Sequence, residues 1–210
     1  MGAMSVHNRS IAAKKSCGFT LIELMVTLAI VAILGTLAAP SLRTFFIRNT
    51  FSSIGSEFNG SVLRARNEAV SKNICVSMCI STNADSTSTT SPPACSTTAS
   101  NWQAGWIVFL NPDCNAALTQ PMEGTTAKPE NMLIARTAGS ANYELNDMVP
   151  TRSMMFNARG QTGVAGGSWF QLKYLPSVPL TSSYAFNICV DLLGRSRSVP
   201  LSATNTCGTY

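Results

Sequence analysis

Apolar residues run almost unbroken from Phe19 to Ala39 (FTLIELMVTLAIVAILGTLAA), 21 residues that hold a single charge, Glu23. As a helix rising 1.5 Å per residue, this stretch spans roughly 30 Å, the hydrocarbon thickness of a bilayer. Beyond Pro40 the pattern becomes one-sided. Phe51, Ile54, Phe58, Val62, Ala65 and Ala69 recur at spacings of three and four, which predicts an amphipathic continuation of the helix over 41–72. Arg64 with Glu68, and Glu68 with Lys72, fall four apart on its polar side, where such pairs contribute a few tenths of a kcal/mol. A stripe of this kind needs a surface to lie on, and a β-sheet supplied by the rest of the chain is the natural partner.

After residue 72 the period shortens to two. Candidate strands are Ile74 to Ile80, Trp102 to Leu110, Met132 to Arg136, Met154 to Asn157, Trp169 to Tyr174, Tyr184 to Asp191 and Ser196 to Leu201. In the first, Ile74, Val76, Met78 and Ile80 alternate with Cys75, Ser77, Cys79 and Ser81. One face can therefore pack on the helix while both cysteines point away. Asn157-Ala158-Arg159-Gly160 and Leu193-Gly194-Arg195 mark turns. The Ser/Thr-rich stretch 81–101, the region 119–131 and the glycine cluster 163–167 are expected as loops; the glycines lack the spacing that cradles phosphate. The fold class is thus α+β. It divides into a leader over 1–18, a membrane-spanning helix over 19–40, its amphipathic continuation over 41–72, and a β-rich globular domain over 73–210.

Net charge is +5, but Arg9, Lys14 and Lys15 precede the apolar run and leave 12 basic against 10 acidic residues beyond it. The cationic start should remain in the cytoplasm, which places residues beyond about 40 outside, on the far side of a single membrane span. Residues 74–149 carry two basic and six acidic side chains, whereas residues 150–210 carry five basic ones against Asp191 alone. A basic face in the last third follows, if those side chains gather.

Cysteine usage agrees with an oxidising compartment. Cys17 precedes the apolar run, leaving Cys75, Cys79, Cys95, Cys114, Cys189 and Cys207 for up to three disulfides, with fifteen connectivities open. Proximity favours Cys189 with Cys207. The C-x-x-x-C spacing of Cys75 and Cys79 is wrong for a redox motif, and a zinc site would need four scattered thiolates. The only histidine is His7, so histidine-dependent nucleophilic or metal chemistry is excluded from the chain beyond it. No paired-carboxylate or Ser/Lys spacing stands out either. The chain is expected to be non-enzymatic and to need no cofactor. Trp102, Trp106 and Trp169 fall on strands, where such residues belong to core or rim.

Glu23 is the oddity, since a carboxylate at the centre of a bilayer costs about 2.5–3.5 kcal/mol on insertion scales. It sits in Lys14-Lys15-Ser16-Cys17-Gly18-Phe19-Thr20-Leu21-Ile22-Glu23-Leu24, which resembles the processing site of type IV pilins and type II secretion pseudopilins. The resemblance implies cleavage between Gly18 and Phe19 by a prepilin peptidase and N-methylation of Phe19. It also implies a filament role for Glu23, whose carboxylate would neutralise the Phe19 amine of a neighbouring subunit. Pro40 falls where pilins carry a helix-kinking proline.

Further on, ARNEAVSKNICVSMC (65–79), NWQAGWIVF (101–109), FNARGQTG (156–163) and FNICVDLLGRSRSV (186–199) resemble the GspH/FimT/FimU branch of that superfamily, while 81–100 and 111–150 resemble nothing. The branch implies a helix packed on two small antiparallel sheets. It implies a subunit that initiates or caps a type IV pilus, with other minor and major pilins and the inner-membrane assembly platform as partners. Two alternatives stay open. One is the equivalent pseudopilin of a type II secretion system. The other is a DNA-uptake pilin, because Gly194-Arg195-Ser196-Arg197 matches the G-R-x-R element associated with double-stranded DNA binding in FimT-like proteins. On that reading Arg195 and Arg197 reach phosphates from one side of a β-ribbon, joined by Arg159 and Lys173.

Overall fold

The computed structural model describes residues 18–88, 91–148, 152–163, 167–176, 185–200 and 207. The leader expected over 1–18 falls outside these residues except for Gly18, as do Tyr184, Leu201 and residues 164–166 of the glycine cluster. Helix α1, Leu21–Lys72, contributes to two units that divide at Phe46.

In the first unit the helix is apolar all round. Leu21–Ala39 has a mean hydropathy of 2.4 with none of that stretch buried in the chain itself. A helix with no polar face needs apolar surroundings on every side. Its hydroxyls are satisfied locally, Thr27 and Thr36 donating to the carbonyls of Leu24 and Ile33 at 3.0 and 2.8 Å. The helix continues through Pro40, although a proline there has no N–H for the Thr36 carbonyl.

The second unit holds the core. Ile47, Phe51, Ile54, Phe58, Val62, Ala65 and Ala69 are all buried along one face of α1. Two four-stranded antiparallel sheets pack on that face, one in the order β5-β2-β1-β7 and the other in the order β10-β9-β8-β6. The first contains β1 (Cys75–Ile80), β2 (Trp106–Asn111), β5 (Met132–Arg136) and β7 (Ser153–Phe156). The second contains β6 (Tyr143–Asp147), β8 (Ser168–Tyr174), β9 (Phe186–Val190) and β10 (Ser196–Pro200). Phe58 is fully buried where they meet, with Trp102 and Trp106 edge-on at 5.3 and 5.4 Å and Phe170 at 4.8 Å. The Trp106 indole donates to Ser61 Oγ at 3.0 Å, so its polar edge is satisfied inside the core.

Three elements differ from the sequence-based expectation. The strand expected from Trp102 begins only at Trp106, because Asn101 Oδ1 accepts from the Gln103 amide at 2.9 Å and turns Trp102–Ala104 into a short 3-10 helix. Gly105, at φ 118°, makes the exit, where a Cβ would stand 2.7 Å from the carbonyl oxygens of Ser81 and Arg136. Strand β6 was hidden by its polar neighbours: only Tyr143 and Leu145 face the core, between Glu144 and Asn146. The loop expected over 119–131 holds a small hairpin, β3 (Met122–Glu123) with β4 (Thr126–Ala127), and a 3-10 turn at Pro129–Asn131. Of the two expected helix pairs, Lys72 Nζ lies 3.7 Å from Glu68 Oε2, and no ion pair joins Arg64 to Glu68 among the described residues.

The alternation of β1 explains how the first sheet is covered. Val76, Met78 and Ile80 enter the main core, while Cys75 and Cys79 face outward and bond to Cys114 and Cys95. The two bonds hold the stretches 81–101 and 112–131 over that outer face, where Cys79, Ala84, Ile107 and Phe109 form a second small core. Asn83 also pins the first stretch, donating to the Pro92 carbonyl at 3.0 Å and accepting from the Ala94 amide at 3.1 Å. The third disulfide joins Cys189 of β9 to Cys207.

Replacing Cys79 and Cys95 together with serine should lower stability by about 3 kcal/mol, the loop-closure value for a bond of this separation. Denaturant unfolding of the oxidised protein and the double variant measures it.

Candidate functional site

Two groups of predicted site residues lie in different units. The first is the start of α1. Gly18, Phe19 and Thr20 precede the helix, Phe19 is exposed, and a Cβ at Gly18 would meet no atom within 4 Å. Thr20 caps the helix: its Oγ1 accepts from the Glu23 amide at 3.2 Å, and its carbonyl accepts from the Leu24 amide at 3.2 Å. Glu23 thus occupies the third helical position of a Thr-x-x-Glu arrangement, where a carboxylate also meets the positive end of the helix dipole. Thr20 is a functional position not named from the sequence above, although Thr20-x-x-Glu23 is a legible capping pattern.

The second group surrounds the β9–β10 turn. Asp191-Leu192-Leu193-Gly194 is a tight turn, with the Gly194 amide donating to the Asp191 carbonyl at 2.9 Å and the Asp191 amide to Arg195 O at 3.0 Å. Gly194 lies at φ +71°, and a Cβ there would collide with the Gly160 carbonyl oxygen. Gly160, itself at φ +75°, ends the turn Asn157-Ala158-Arg159-Gly160, whose amide donates back to the Asn157 carbonyl at 2.7 Å. Only glycine fits both the backbone angle and the spacing at Gly194. Helix α1 ties in through Arg66, whose Nε donates to the Leu193 carbonyl at 3.0 Å. Nothing local marks Arg66 for this role, since its partner is 127 residues away.

These contacts sort the four candidate cations. Arg195 is committed within the turn: its Nε lies 2.6 Å from Asp191 Oδ2, and its amide donates to Asp191 Oδ1 at 2.7 Å. Arg159 is exposed on the adjoining turn, and Arg197 is exposed on the outer face of β10, in register with Cys189. Lys173 is not part of this group. It sits on β8 opposite Glu144, two strands and four residues from the Arg197 row, about 16 Å away by strand spacing and rise. Trp102 and Trp106 are fully buried and Trp169 is half-buried, so the first two are core residues.

Asp191 is itself buried. Burial alone would raise its pKa, but the Arg195 amide, the Arg195 guanidinium and the Leu193 amide outweigh that and hold the carboxyl below its ordinary value. A carboxyl lowered on folding adds stability that is complete above its unfolded value and is lost as pH falls through its folded one.

Residues 13–39 match the family described as prokaryotic N-terminal methylation motif, and residues 55–194 match the family described as type II transport protein GspH. Among solved structures, the crystal structure of the type IV minor pilin FimU of Pseudomonas aeruginosa (strain PAO1) in space group P21 matches with a TM-score of 0.50 at 17% identity, covering 74% of this chain and 92% of that one. The same protein in space group P65 gives a TM-score of 0.47 at 15% identity, covering 71% and 92%. The first likeness is one of fold. No curated protein matches the chain significantly.

Asp191→Asn should cost about 1.5–3 kcal/mol at neutral pH, the range for hydrogen bonds to a charged group. It should also flatten the fall in stability below about pH 4, where the unfolded carboxylate takes up protons that the native one still resists. Urea unfolding of both proteins from pH 7 to pH 3 reads the two effects together.

Proposed function

Because the chain belongs to the GspH family and is a minor pilin or pseudopilin, we propose that it helps to initiate or cap assembly of a type IV pilus. Members of this family are structural proteins and not enzymes. The observation that carries the proposal is the division of apolar surface along α1. The buried face from Ile47 to Ala69 is used up by the chain's own sheets, while none of Leu21–Ala39 is buried among the described residues. That segment anchors the protein in a membrane before assembly and is suited to the helical core of a filament afterwards.

In this reading a prepilin peptidase cuts after Gly18, and Phe19 becomes the methylated amino terminus. Glu23 then pairs with the Phe19 amine of an adjoining subunit, which removes the cost of two isolated buried charges. Pro40 is placed where the helix can deform as it leaves the membrane. The β-rich unit occupies the periplasm and selects neighbouring pilins, with the inner-membrane assembly platform driving insertion.

A second reading is capture of double-stranded DNA. It is favoured by the close approach of the turns at Gly160 and Gly194, which sets Arg159 beside the turn that carries Arg195, two residues before Arg197. Contacts of this kind go to phosphates and weaken steeply with salt.

Deletion should lower the number of surface pili while the major pilin persists in the membrane, and the wild-type chain, but not Glu23→Ala, should restore them. Unchanged piliation would refute the proposal, and blocked export of folded exoproteins with normal pili would assign the chain to type II secretion. For the second reading, the mature chain in detergent should retard duplex DNA at low salt, and the pair Arg159→Gln, Arg197→Gln should abolish the shift. Absence of any shift at low salt would remove DNA capture.

A further inference from the structure

We propose that the turn of α1 just past the apolar span, residues 42–45, lies in the headgroup layer of the membrane, where Arg43 binds a phospholipid phosphate and sets the depth of the helix. The inference rests on the membrane anchorage of Leu21–Ala39 and adds a fixed height to it.

This turn belongs neither to the span nor to the core. Leu42 and Phe45 are 53% and 55% exposed, and Arg43 between them is exposed as well. The first buried residue of α1 comes later, at Ile47. Large apolar side chains on either side of a cation suit neither water nor hydrocarbon alone, and the layer between the two accepts both.

Helix geometry gives the height. At 1.5 Å per residue, Leu42 and Arg43 stand about 4.5 and 6 Å past Ala39 along the helix axis. The headgroup layer is about 5–7.5 Å thick on each side, half the difference between a whole bilayer and its hydrocarbon core. Arg43 therefore reaches the phosphates when the apolar segment fills the core, and Phe45, about 9 Å past Ala39, marks the outer limit of the layer.

Charge selects the ligand. No Asp or Glu occurs over residues 24–56, and Arg43 makes no ion pair among the described residues. Its helical neighbours three and four residues away are all apolar, so the helix offers it no acidic partner. A guanidinium fork matches two phosphate oxygens at once, while its stem lies along apolar surface. With Arg43 on a phosphate, Glu23 stands 20 residues lower, about 30 Å, which is about 6 Å inside the opposite boundary of the core and not at its middle. Four residues further, Phe19 reaches that boundary. The depth set at one end thus brings the Glu23 carboxylate close to the opposite headgroups.

The test uses the full-length chain at one copy per phospholipid nanodisc, with a small fluorescent amino acid at position 42 or, as the span control, at position 30. Lipids carrying a nitroxide on the headgroup or on the fifth acyl carbon quench it according to depth. Position 42 should be quenched roughly threefold more by the headgroup label, and position 30 roughly threefold more by the acyl label. Arg43→Leu lengthens the apolar run and lets the helix sink, so it should lower the headgroup preference at position 42 roughly twofold. Arg43→Lys, which keeps a cation, should preserve it. Quenching at position 30 with none at position 42, or a preference at position 42 indifferent to Arg43→Leu, would overturn the inference and leave the anchorage standing. Protection of position 42 that appears only at two copies per disc would assign the turn to a second subunit and overturn it as well. No quenching at either position would overturn the anchorage itself.

Discussion

One helical face, Ile47 to Ala69, has to serve two sheets at once. Among the described strands no ladder runs from one sheet to the other; the backbone links are the isolated bridge Asn101 to Asn146 and the bridge Phe156 to Thr162, whose amide donates to the Leu192 carbonyl at 3.0 Å. The sheets are joined instead by what each packs against α1, and Phe58 sits where both arrive, with Trp106 from the first sheet and Phe170 from the second. Fully burying a side chain of that size is worth roughly 1.5–3 kcal/mol before any cavity term. The aromatic contacts add direction to an otherwise undirected attraction. Around this centre, polar side chains set the angles. Asn101 Oδ1 accepts from the amides of both Gln103 and Leu145, and Arg136 stacks 4.4 Å over Trp106 while reaching Glu57 on the helix.

That dependence explains why so much of the fold was legible from sequence. The 3-4 spacing from Phe51 to Ala69 stated which helical face is buried, and the alternation of β1 stated which way its cysteines point. Such patterns survive in sequence because burial acts residue by residue. What stayed hidden depends on partners far along the chain. Strand β6 has only Tyr143 and Leu145 facing the core and otherwise looks like a polar loop. The turn at Trp102 is made by one side-chain oxygen, that of Asn101, competing with the strand. For the candidate site, Gly194 and the turn were legible, but the reasons they matter, Gly160 and Arg66, lie 34 and 127 residues from their contacts.

The same contrast recasts the charged residues. Arg195 looked like a free cation because Asp191, four residues earlier, had been counted only as a charge; in the folded turn the two form one buried-to-exposed pair. The basic end is therefore less basic than its composition. Glu23 changes in the opposite sense. Inside the apolar run its carboxylate calls for a partner, and the Thr20 cap gives the residue a local role as well, since an acidic third residue suits a helix amino terminus. The two roles are compatible, because the cap uses the Glu23 amide and leaves its carboxylate oxygens to other partners.

A chain of this kind leaves few physical demands unmet within itself. The outer face of the first sheet is closed by two disulfide-held stretches, and β9 is tied to the carboxy-terminal end by a third bond. With the β-rich unit stabilised internally, most of the exposed large apolar side chains among the described residues lie along Leu21–Ala39. That area attracts any apolar surroundings and discriminates little between them, so affinity drawn from it carries no selection of its own. Selection between partners needs directional groups, and those stand on the β-rich unit, where polar side chains reach the surface.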